Sequence, residues 1–492
     1  MADTTAGVRT QHPAYAGTSD KWKRCRDVSG GRDAVHAAGE HYLPRLKDQE
    51  NSEYAAYVTR ATFYNASWRT IAGLNGMLFR KPPKIDAPET VKPLFDDVTL
   101  GGVSLHILAQ TAAEECLTVG RAGLLVDYPS TGEQVLTAAD AALLNLRPTI
   151  CLYKAESIIN WRQRVIANAS VLSLVVLVEN QIVKDDGFRA VTETRYRVLD
   201  LDPAGAYRVR IFRINEKTNE DEQVGGDVYP LMSGKALNYI PFAFIGPDDT
   251  TPEVDDPPLI DLVDMNLAHY RVSADYEAGC HFAGLPTPVI SGYTKETADE
   301  KLYVGSSAAW IFPDPSAKAV YLEFTGQGLK SLETNLEKKE QQMAVLGARM
   351  LEALKRGVES AQTASIHRVG EESVLSAISQ SVSIGMTKAL GWFAQWAGAK
   401  GEAAITLNRD FFPTPLTDAM LTALIAGWQS GAYSYATLFA NLKAGEVVDV
   451  DATPEDEQAA IDAQPPVLTA PLAPVAPLAP DTSKAAPAVN AG

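Results

Sequence analysis

The strongest hydrophobic pattern in the sequence is a seven-residue repeat between residues 326 and 354. Its apolar positions form two seams: Leu329, Leu336, Met343 and Met350 in the first, and Leu332, Leu346 and Ala353 in the second. Lys339 interrupts the second seam. A heptad pattern predicts a helix that packs one narrow face against another helix. A helix from Leu329 to Leu354 would be about 39 Å long.

The repeat stops at Lys355-Arg356-Gly357, and a polar run over residues 359–363 separates it from an apolar helical pattern over residues 371–396. This order predicts a helix, a polar loop and a second helix. A long helix with a basic end and a polar loop indicates a projecting part of the molecule. An ordinary bundle helix with a surface turn is the alternative interpretation.

Apolar residues at helical spacing predict five further helices, over residues 50–79, 105–119, 259–282, 416–431 and 435–442. Pro82 and Pro83 would end the first of these, because proline cannot continue a helix. Gly120 would end the second, since glycine is favoured just after a helix.

Strands are predicted over residues 123–128, 149–153, 171–178, 241–245 and 404–407. Residues 194–201 and 207–214 alternate apolar and polar positions around Asp202-Pro-Ala-Gly205, which predicts a hairpin. A small β unit, with strands over 289–291, 308–312 and 319–324, lies between the 259–282 helix and the heptad helix. Two helices that flank a compact β unit would form a stalk with a tip.

The chain has 492 residues, 46% of them hydrophobic, with a net charge of −17. This length allows two to four domains. The four cysteines form no Cys-x-x-Cys pair, which argues against zinc and disulfide frameworks and favours a reducing compartment. The longest strongly apolar run, residues 171–178, is too short to span a bilayer. The Pro/Ala-rich residues 453–492 predict a disordered tail.

No catalytic signature stands in a fitting context, so we expect no enzyme activity, catalytic residue, cofactor or metal site. His36, Glu40 and His41 lack the His-Glu-x-x-His spacing, and a solvated helix face is the preferred interpretation. His367 lies near Ser365 and Arg368, but this spacing does not supply the nucleophile, base and orienting group of a triad.

Short segments along residues 50–450 resemble the portal proteins of long-tailed double-stranded-DNA bacteriophages, in the branch catalogued as a domain of unknown function. The resemblance lies in their order and spacing: Leu78–Pro83, Gly120–Pro129, Ile159–Arg162, Asn266–Tyr270, Ser273–Tyr276, Leu285–Val289, Tyr321–Gly326, Lys339–Met343 and Leu407–Phe411.

The resemblance implies an α+β portal fold with a wing of helices and mixed β structure. In chain order it implies the following parts: an N-terminal arm (1–48), the wing (49–256), a stem helix (257–284), a β-rich clip (285–326), a second stem helix (327–355), a tunnel loop (356–365), a wing helix and strand (366–412), a C-terminal helical crown (413–452) and the disordered tail (453–492).

The resemblance also implies a function. Portals form rings, usually of twelve subunits, at one capsid vertex of the virion, and double-stranded DNA passes non-specifically through the ring during packaging and ejection. The implied partners are the terminase large subunit, the head–tail adaptor, and the major capsid and scaffolding proteins. Assembly would take place in the host cytoplasm, with no membrane involved.

The net charge of the chain is compatible with a channel for DNA. Twelve copies would carry about −200 (12 × −17), which resists contacts that would hold phosphates. A few cations per subunit would centre the duplex. The candidate channel residues are Arg349, Lys355, Arg356, Ser360 and Gln362. Alternatively, Lys355 and Arg356 complement a helix dipole.

The stem-packing candidates are Leu329, Leu332, Leu336, Met343, Leu346 and Met350. This seam would pack either between subunits or on the 257–284 helix, and the sequence does not choose. Two rival functions remain, another ring of the neck and a soluble cytosolic enzyme with an unrecognised site.

Overall fold

A computed structural model describes residues 7–129, 143–166, 168–284, 287–291, 316, 318–322, 327–350, 373–411, 416–448 and 452–463. The chain divides into two units, residues 1–411 and 412–492. The first unit contains both helices and antiparallel sheets. The α+β class expected from the sequence is therefore confirmed.

Eight α-helices are described in the first unit: α1 (Pro13–Gly30), α2 (Arg32–Ala37), α3 (Asn51–Arg60), α4 (Ala66–Leu78), α5 (Leu105–Val119), α6 (Ile260–Gly284), α7 (Gln327–Arg349) and α8 (Val374–Trp396). Its strands are β1 (Lys84–Asp86), β2 (Ala122–Asp127), β3 (Thr149–Lys154), β4 (Ile158–Ile166), β5 (Ala169–Asp185), β6 (Ala190–Leu201), β7 (Tyr207–Ile214), β8 (Asp221–Gln223), β9 (Leu231–Met232), β10 (Lys235–Ala236), β11 (Phe242–Ile245), β12 (Thr287–Ser291), β13 (Lys318–Leu322) and β14 (Ala404–Thr406).

The N-terminal region is part of the core, which corrects the expectation of an arm over residues 1–48. Trp22, Cys25 and Val28 of α1 are buried, and α1 packs on α5 and α6. Arg26 of α1 also pairs with Glu115 and Glu156, the latter through Nε at 2.7 Å. Apolar residues at three-residue spacing on α1 need cover, and the body of the protein provides it.

The single helix predicted over residues 50–79 is wrong, because α3 and α4 are separate. Asn65 lies between them, and its side chain accepts a 3.0 Å hydrogen bond from the Trp68 N–H. This cap starts α4 anew. The connecting residue Phe63 is buried in the same cluster as Trp22.

The helix predicted over residues 105–119 is confirmed as α5. Gly120 follows it in the left-handed conformation, with φ of 74°, as expected of a glycine at a helix end. The next residue, Arg121, is buried and its guanidinium stacks between Trp161 and Phe244. Its Nη1 donates hydrogen bonds to the Pro252 and Glu253 carbonyls.

Two antiparallel sheets form the β-rich region. The first has the order β11-β2-β3 and the second the order β4-β5-β6-β7-β8. The hairpin predicted around Asp202–Gly205 is confirmed as β6 and β7. The sequence analysis did not predict β4. The strand that it predicted over residues 171–178 is shorter than β5, which continues to Asp185.

The main core lies between α4, α5, α8 and the sheet that contains β2. Helix α8 matches the second helix predicted over 371–396, and its buried residues include Leu375, Val382 and Leu390. After it, β14 pairs antiparallel with β1, which lies far earlier in the chain. This pairing joins residues 404–406, near the end of the first unit, to residues 84–86.

The second unit contains α9 (Asp418–Gln429), α10 (Tyr435–Ala444) and α11 (Pro454–Ala463). The first two agree with the helices predicted there. Residues 454–463 correct the expectation of a disordered tail from 453 onward, because they form a helix. Three acidic residues in its first turn, Glu455, Asp456 and Glu457, favour a helix N-terminus. The Pro/Ala-rich part of the tail lies outside the described residues.

Candidate functional site

The candidate site is the segment that was predicted to project: α6, the β12–β13 pair and α7. Helix α6 is anchored at its N-terminal half by a buried asparagine. Asn266 accepts hydrogen bonds from the Ser67 N–H (3.1 Å) and the Ser67 hydroxyl (3.0 Å), and it donates to the Tyr64 carbonyl at 2.7 Å. These three bonds fix α6 against the start of α4.

Further contacts secure the same half of α6. The Tyr57 hydroxyl donates to Asp275 at 2.6 Å, and Arg271 Nε donates to the Tyr42 carbonyl at 2.8 Å. Fully buried residues on α6 end at Ala274. Residues 275–284 form the outer part of the helix, where no side chain is fully buried, although Ala278 still packs against the core.

Helix α7 covers that outer half of α6. A Cβ placed on Gly279 would lie 2.5 Å from Leu329 Cδ2, so the absence of a side chain lets the helices approach closely. Ten residues nearer the core, His269 Nε2 lies 3.4 Å from Glu340 Oε1. From the first contact to the second, the residue numbers fall along α6 (279 to 269) and rise along α7 (329 to 340). The two helices are therefore antiparallel.

His269 is a buried histidine that faces a half-exposed carboxylate. Burial lowers the pKa of His269 below its usual value of 6.5, although the bond to Glu340 acts to raise it. Burial outweighs Glu340 because this carboxylate is 53% exposed and thus screened by water. The His269 Nδ1 is buried and has no hydrogen-bond partner among the described residues.

The structure places the predicted stem-packing residues on one side of α7. Met343 and Met350 are buried in the main core, with Leu346 packed against it. Leu329, Leu332 and Leu336 are half-buried, and Leu329 contacts α6. Of the two packing modes left open by the sequence, contact with α6 is present within one chain. A Cβ on Gly347 would lie 3.1 Å from Thr70 Cγ2, so α7 also lies close to α4.

The tip is an antiparallel pair of strands. Thr287 to Ser291 of β12 pair with Leu322 to Lys318 of β13, in agreement with the strands predicted at 289–291 and 319–324. The strand predicted at 308–312 lies outside the described residues. A β pair thus connects the outer ends of two long helices.

The inner end of α7 adjoins the start of α8. Leu375 N donates a 3.1 Å hydrogen bond to Met350 O. The chain therefore leaves α7 and enters α8 at neighbouring points, which are the two ends of residues 351–372. Of the predicted channel residues, Arg349 is exposed just before this point. Lys355, Arg356, Ser360 and Gln362 lie outside the described residues.

The outward face of α7 carries a polar strip of exposed residues. Its members are Lys330, Ser331, Thr334, Asn335 and Lys338. Positions separated by four and eight residues share one helix face. The strip is therefore a continuous surface with two cations and three neutral polar side chains.

The described residues give information on three features: metal-binding groups, membrane-spanning helices and disulfides. They contain no group of three His, Cys, Asp or Glu side chains that could hold a metal ion. Among the described helices, none is both long enough and apolar enough to cross a membrane. The four cysteines are free. His36 packs against Tyr270 and His41 against Tyr42, whereas His367 lies outside the described residues.

Sequence reasoning missed the roles of Asn266, His269 and Gly279. The signal for the first two was a polar residue on an otherwise apolar helical stripe, because a buried polar side chain requires a partner. The close approach at Gly279 had no signal in the sequence alone.

Comparison with known proteins gives one family match. The model described as DUF4055, a domain of unknown function, matches residues 258–397. This segment begins just before α6 and ends just after α8, so it contains the whole candidate site. No curated protein matches the chain.

Solved structures give three similarities to phage-like particles. The chain is similar to a chain in the neck of an empty GTA particle computed with C6 symmetry, with 13% identity, a TM-score of 0.36, and coverage of 82% of this chain and 95% of that one. It is similar to a chain in the virion of a native gene transfer agent particle, with 12% identity, a TM-score of 0.36 and coverage of 84% and 98%. A chain in the neck of a native GTA particle computed with C12 symmetry gives 12% identity, a TM-score of 0.34 and the same coverage.

Proposed function

We propose that this chain is a portal protein, a structural subunit of a ring at one capsid vertex of a tailed-phage-like virion. Double-stranded DNA would enter and leave the head through the centre of the ring. The proposal rests first on the order and spacing of the sequence segments that resemble portal proteins. In this role the chain hydrolyses no nucleotide and needs no cofactor.

The observation that carries the proposal is the arrangement of α6, the β pair and α7. Two antiparallel helices leave the core side by side and are joined at their outer ends by β12 and β13. At the inner end, a hydrogen bond joins Met350 to Leu375, so the segment between them begins and ends at neighbouring points. A stem, a clip and a tunnel loop require this connectivity.

The charge distribution supports passage of DNA. The chain carries −17, so a ring wall of many copies would repel phosphates in general. The polar strip on α7 offers two lysines with serine, threonine and asparagine between them. Such a surface makes weak, replaceable contacts with a moving duplex. Arg349 and the loop cations Lys355 and Arg356 would add a second set near the inner end.

Partners follow from the same assignment. The tip would dock the terminase large subunit during packaging and the head–tail adaptor afterwards, and the surface around the core would meet the major capsid and scaffolding proteins. Assembly would begin in the host cytoplasm.

The proposal is tested by the assembly state of the purified full-length chain. Light scattering and negative-stain images should show rings with a central hole, about twelve times the 53.0 kDa chain mass if the ring is a dodecamer. A monomer or a closed dimer at all concentrations would refute it.

A further inference from the structure

The five-stranded sheet has a two-stranded extension. β4 pairs with β5 only as far as Leu177, and β7 pairs with β6 only from Arg195. Beyond these points, residues 180–185 and 190–194 pair, among the described strands, only with each other. We call residues 179–194 the arm. Its tip lies about 23 Å beyond Arg195, at roughly 3.3 Å per residue.

The arm has unsatisfied edges and an apolar surface. Ile182, Val183 and Val191 are exposed, and Phe188 at the tip is fully exposed. A two-stranded ribbon is marginally stable in water, and unpaired strand edges readily add another chain. Clustered exposed apolar residues of this kind mark interaction sites.

The end of the arm, residues 185–189, is held in a defined turn. Asp185 accepts a 2.8 Å hydrogen bond from the Gly187 N–H, and Asp186 accepts bonds from the N–H groups of Phe188 (3.0 Å) and Arg189 (2.6 Å). These bonds hold Phe188 in place while its ring faces solvent. The side chains of Lys184 and Arg189 have no partner among the described residues.

A surface with complementary properties lies at the β8 edge of the same sheet. We call residues 216–231 the edge strip. It runs along β7 through the Val209–Val228 bridge and exposes Val228, Tyr229 and Leu231. Its turn carries Glu216 and Glu220, both exposed and without a described side-chain partner. Lys217 lies between them, and Arg9 donates to Asn219 of the same turn and pairs with Asp221, so these five charged residues carry one net negative charge.

We propose that the arm of one subunit docks on the edge strip of the next copy of this chain. Phe188 and Val191 would cover the apolar residues of the strip, while Lys184, which pairs with Val191 on the same face of the ribbon, and Arg189 would meet Glu216 and Glu220. Because the arm and the edge strip are different surfaces, the contact can repeat head to tail, and such contacts form a ring where the rotation between neighbours closes. The inference rests on the proposed ring.

The size of the arm fits a reinforcing contact. A stable interface takes about 20 to 30 residues from each side, and the arm alone supplies fewer. It would therefore strengthen a ring whose main contacts lie elsewhere. Removal of the contact should weaken the ring without unfolding the subunit.

Charge exchange tests this pairing. The variant with Lys184→Glu and Arg189→Glu, and separately the variant with Glu216→Lys and Glu220→Lys, should each raise the concentration for half-assembly about tenfold. The fourfold variant should return it to the wild-type value. A control with Lys47→Glu and Arg164→Glu reverses the charge of two exposed cations that have no partner among the described residues, and it should leave assembly unchanged. No rescue in the fourfold variant would overturn the pairing.

Cross-linking separates this inference from the proposed function. Rings of the Phe188→Cys, Leu231→Cys double variant, oxidised with copper phenanthroline, should form a covalent ladder of dimers and higher species, and each single variant should not. Intact rings without a ladder would overturn the docking of the arm and leave the ring in place. Failure of the wild-type chain to form rings would overturn the proposed function itself.

Discussion

Leu375 N donates a 3.1 Å hydrogen bond to Met350 O, and this bond joins the start of α8 to the end of α7. Both residues are buried in the main core. The two ends of residues 351–372 are therefore fixed next to each other, and this segment contains Lys355, Arg356, Ser360 and Gln362.

Shortening the predicted tunnel loop should impair DNA transport without impairing the folding of the subunit. Deletion of residues 357–368 keeps Met350 and Leu375 and changes loop-closure entropy by only about 1 kcal/mol. We expect the thermal midpoint and ring mass to stay near the wild-type values while packaged DNA falls sharply. Unchanged DNA content in particles carrying the deletion would show that the loop has no role in the channel.

Charge reversal at the loop base tests the two candidate cations. Lys355→Glu with Arg356→Glu should reduce packaged DNA without dissolving the ring, because added negative charge near the duplex repels phosphates. The matched control is Lys47→Glu with Lys400→Glu, which alters two exposed lysines without described partners. DNA content per particle is the measurement, and equal filling in both variants would reject the role of Lys355 and Arg356.

A side chain at Gly279 should disturb the packing of α6 on α7. Its Cβ would lie 2.5 Å from Leu329 Cδ2, so Gly279→Val should destabilise the subunit by about 1–3 kcal/mol through overpacking. Gly284→Ala on the same helix has open space around its Cβ and should be neutral or slightly stabilising, because alanine favours helix. Urea denaturation of both variants measures the difference, and similar stabilities would contradict the close helix contact.

Removal of Asn266 should weaken the anchor of α6. Asn266→Ala leaves two buried donors of Ser67 and the Tyr64 carbonyl without their partner. At roughly 1–3 kcal/mol for a buried unsatisfied group, we expect a loss of about 2–4 kcal/mol in the free energy of unfolding. Asn335→Ala, on the exposed strip of α7, should change it by less than about 0.5 kcal/mol. Chemical denaturation distinguishes the two, and equal losses would exclude Asn266 as an anchor.

Stability should fall in mild acid because of His269. Burial lowers the pKa of His269 in the folded protein below its usual value, so the unfolded chain binds this proton more tightly. The contribution is present above about pH 6.5 and is lost as the pH falls through the lower, folded pKa, by at most about 1.4 kcal/mol per pH unit. Glu340 and Lys339 on α7 and Tyr64, just before α4, face the same group.

The control for this pH effect is His269→Gln, which cannot titrate. Its free energy of unfolding should depend less on pH between 7.5 and 5.5 than that of the wild type. Parallel curves for the two proteins would exclude His269 as the source of the acid sensitivity.

Local patterns predicted the elements of this fold well where one periodicity dominates. Helix α5 was found with its end at Gly120, and the β6–β7 hairpin with its turn, because short-range spacing and turn residues determine both. The break between α3 and α4 was missed, since it depends on the Asn65 cap and on Phe63 turning into a core formed by distant residues. The burial of α1 likewise depends on α5 and α6, which the sequence alone could not bring to it.

The sequence predicted the order of the helices and strands in the candidate site, but it did not predict the contacts between them. The heptad seam indicated a helix partner for α7, and the structure identifies α6. The arm was missed because β5 and β6 extend beyond the strongest apolar runs into polar sequence, where pairing depends on the register of the two strands.

The central claim is that α6 and α7 are arranged around an axis that DNA follows. Single-particle cryo-electron microscopy of the assembled full-length chain tests it most directly. The account predicts a ring in which the α6–α7 pairs surround a central hole wide enough for a duplex, with the polar strip of α7 or the loop after Met350 facing that hole. A closed particle without a hole, or a ring in which these helices lie on the outside, would contradict it.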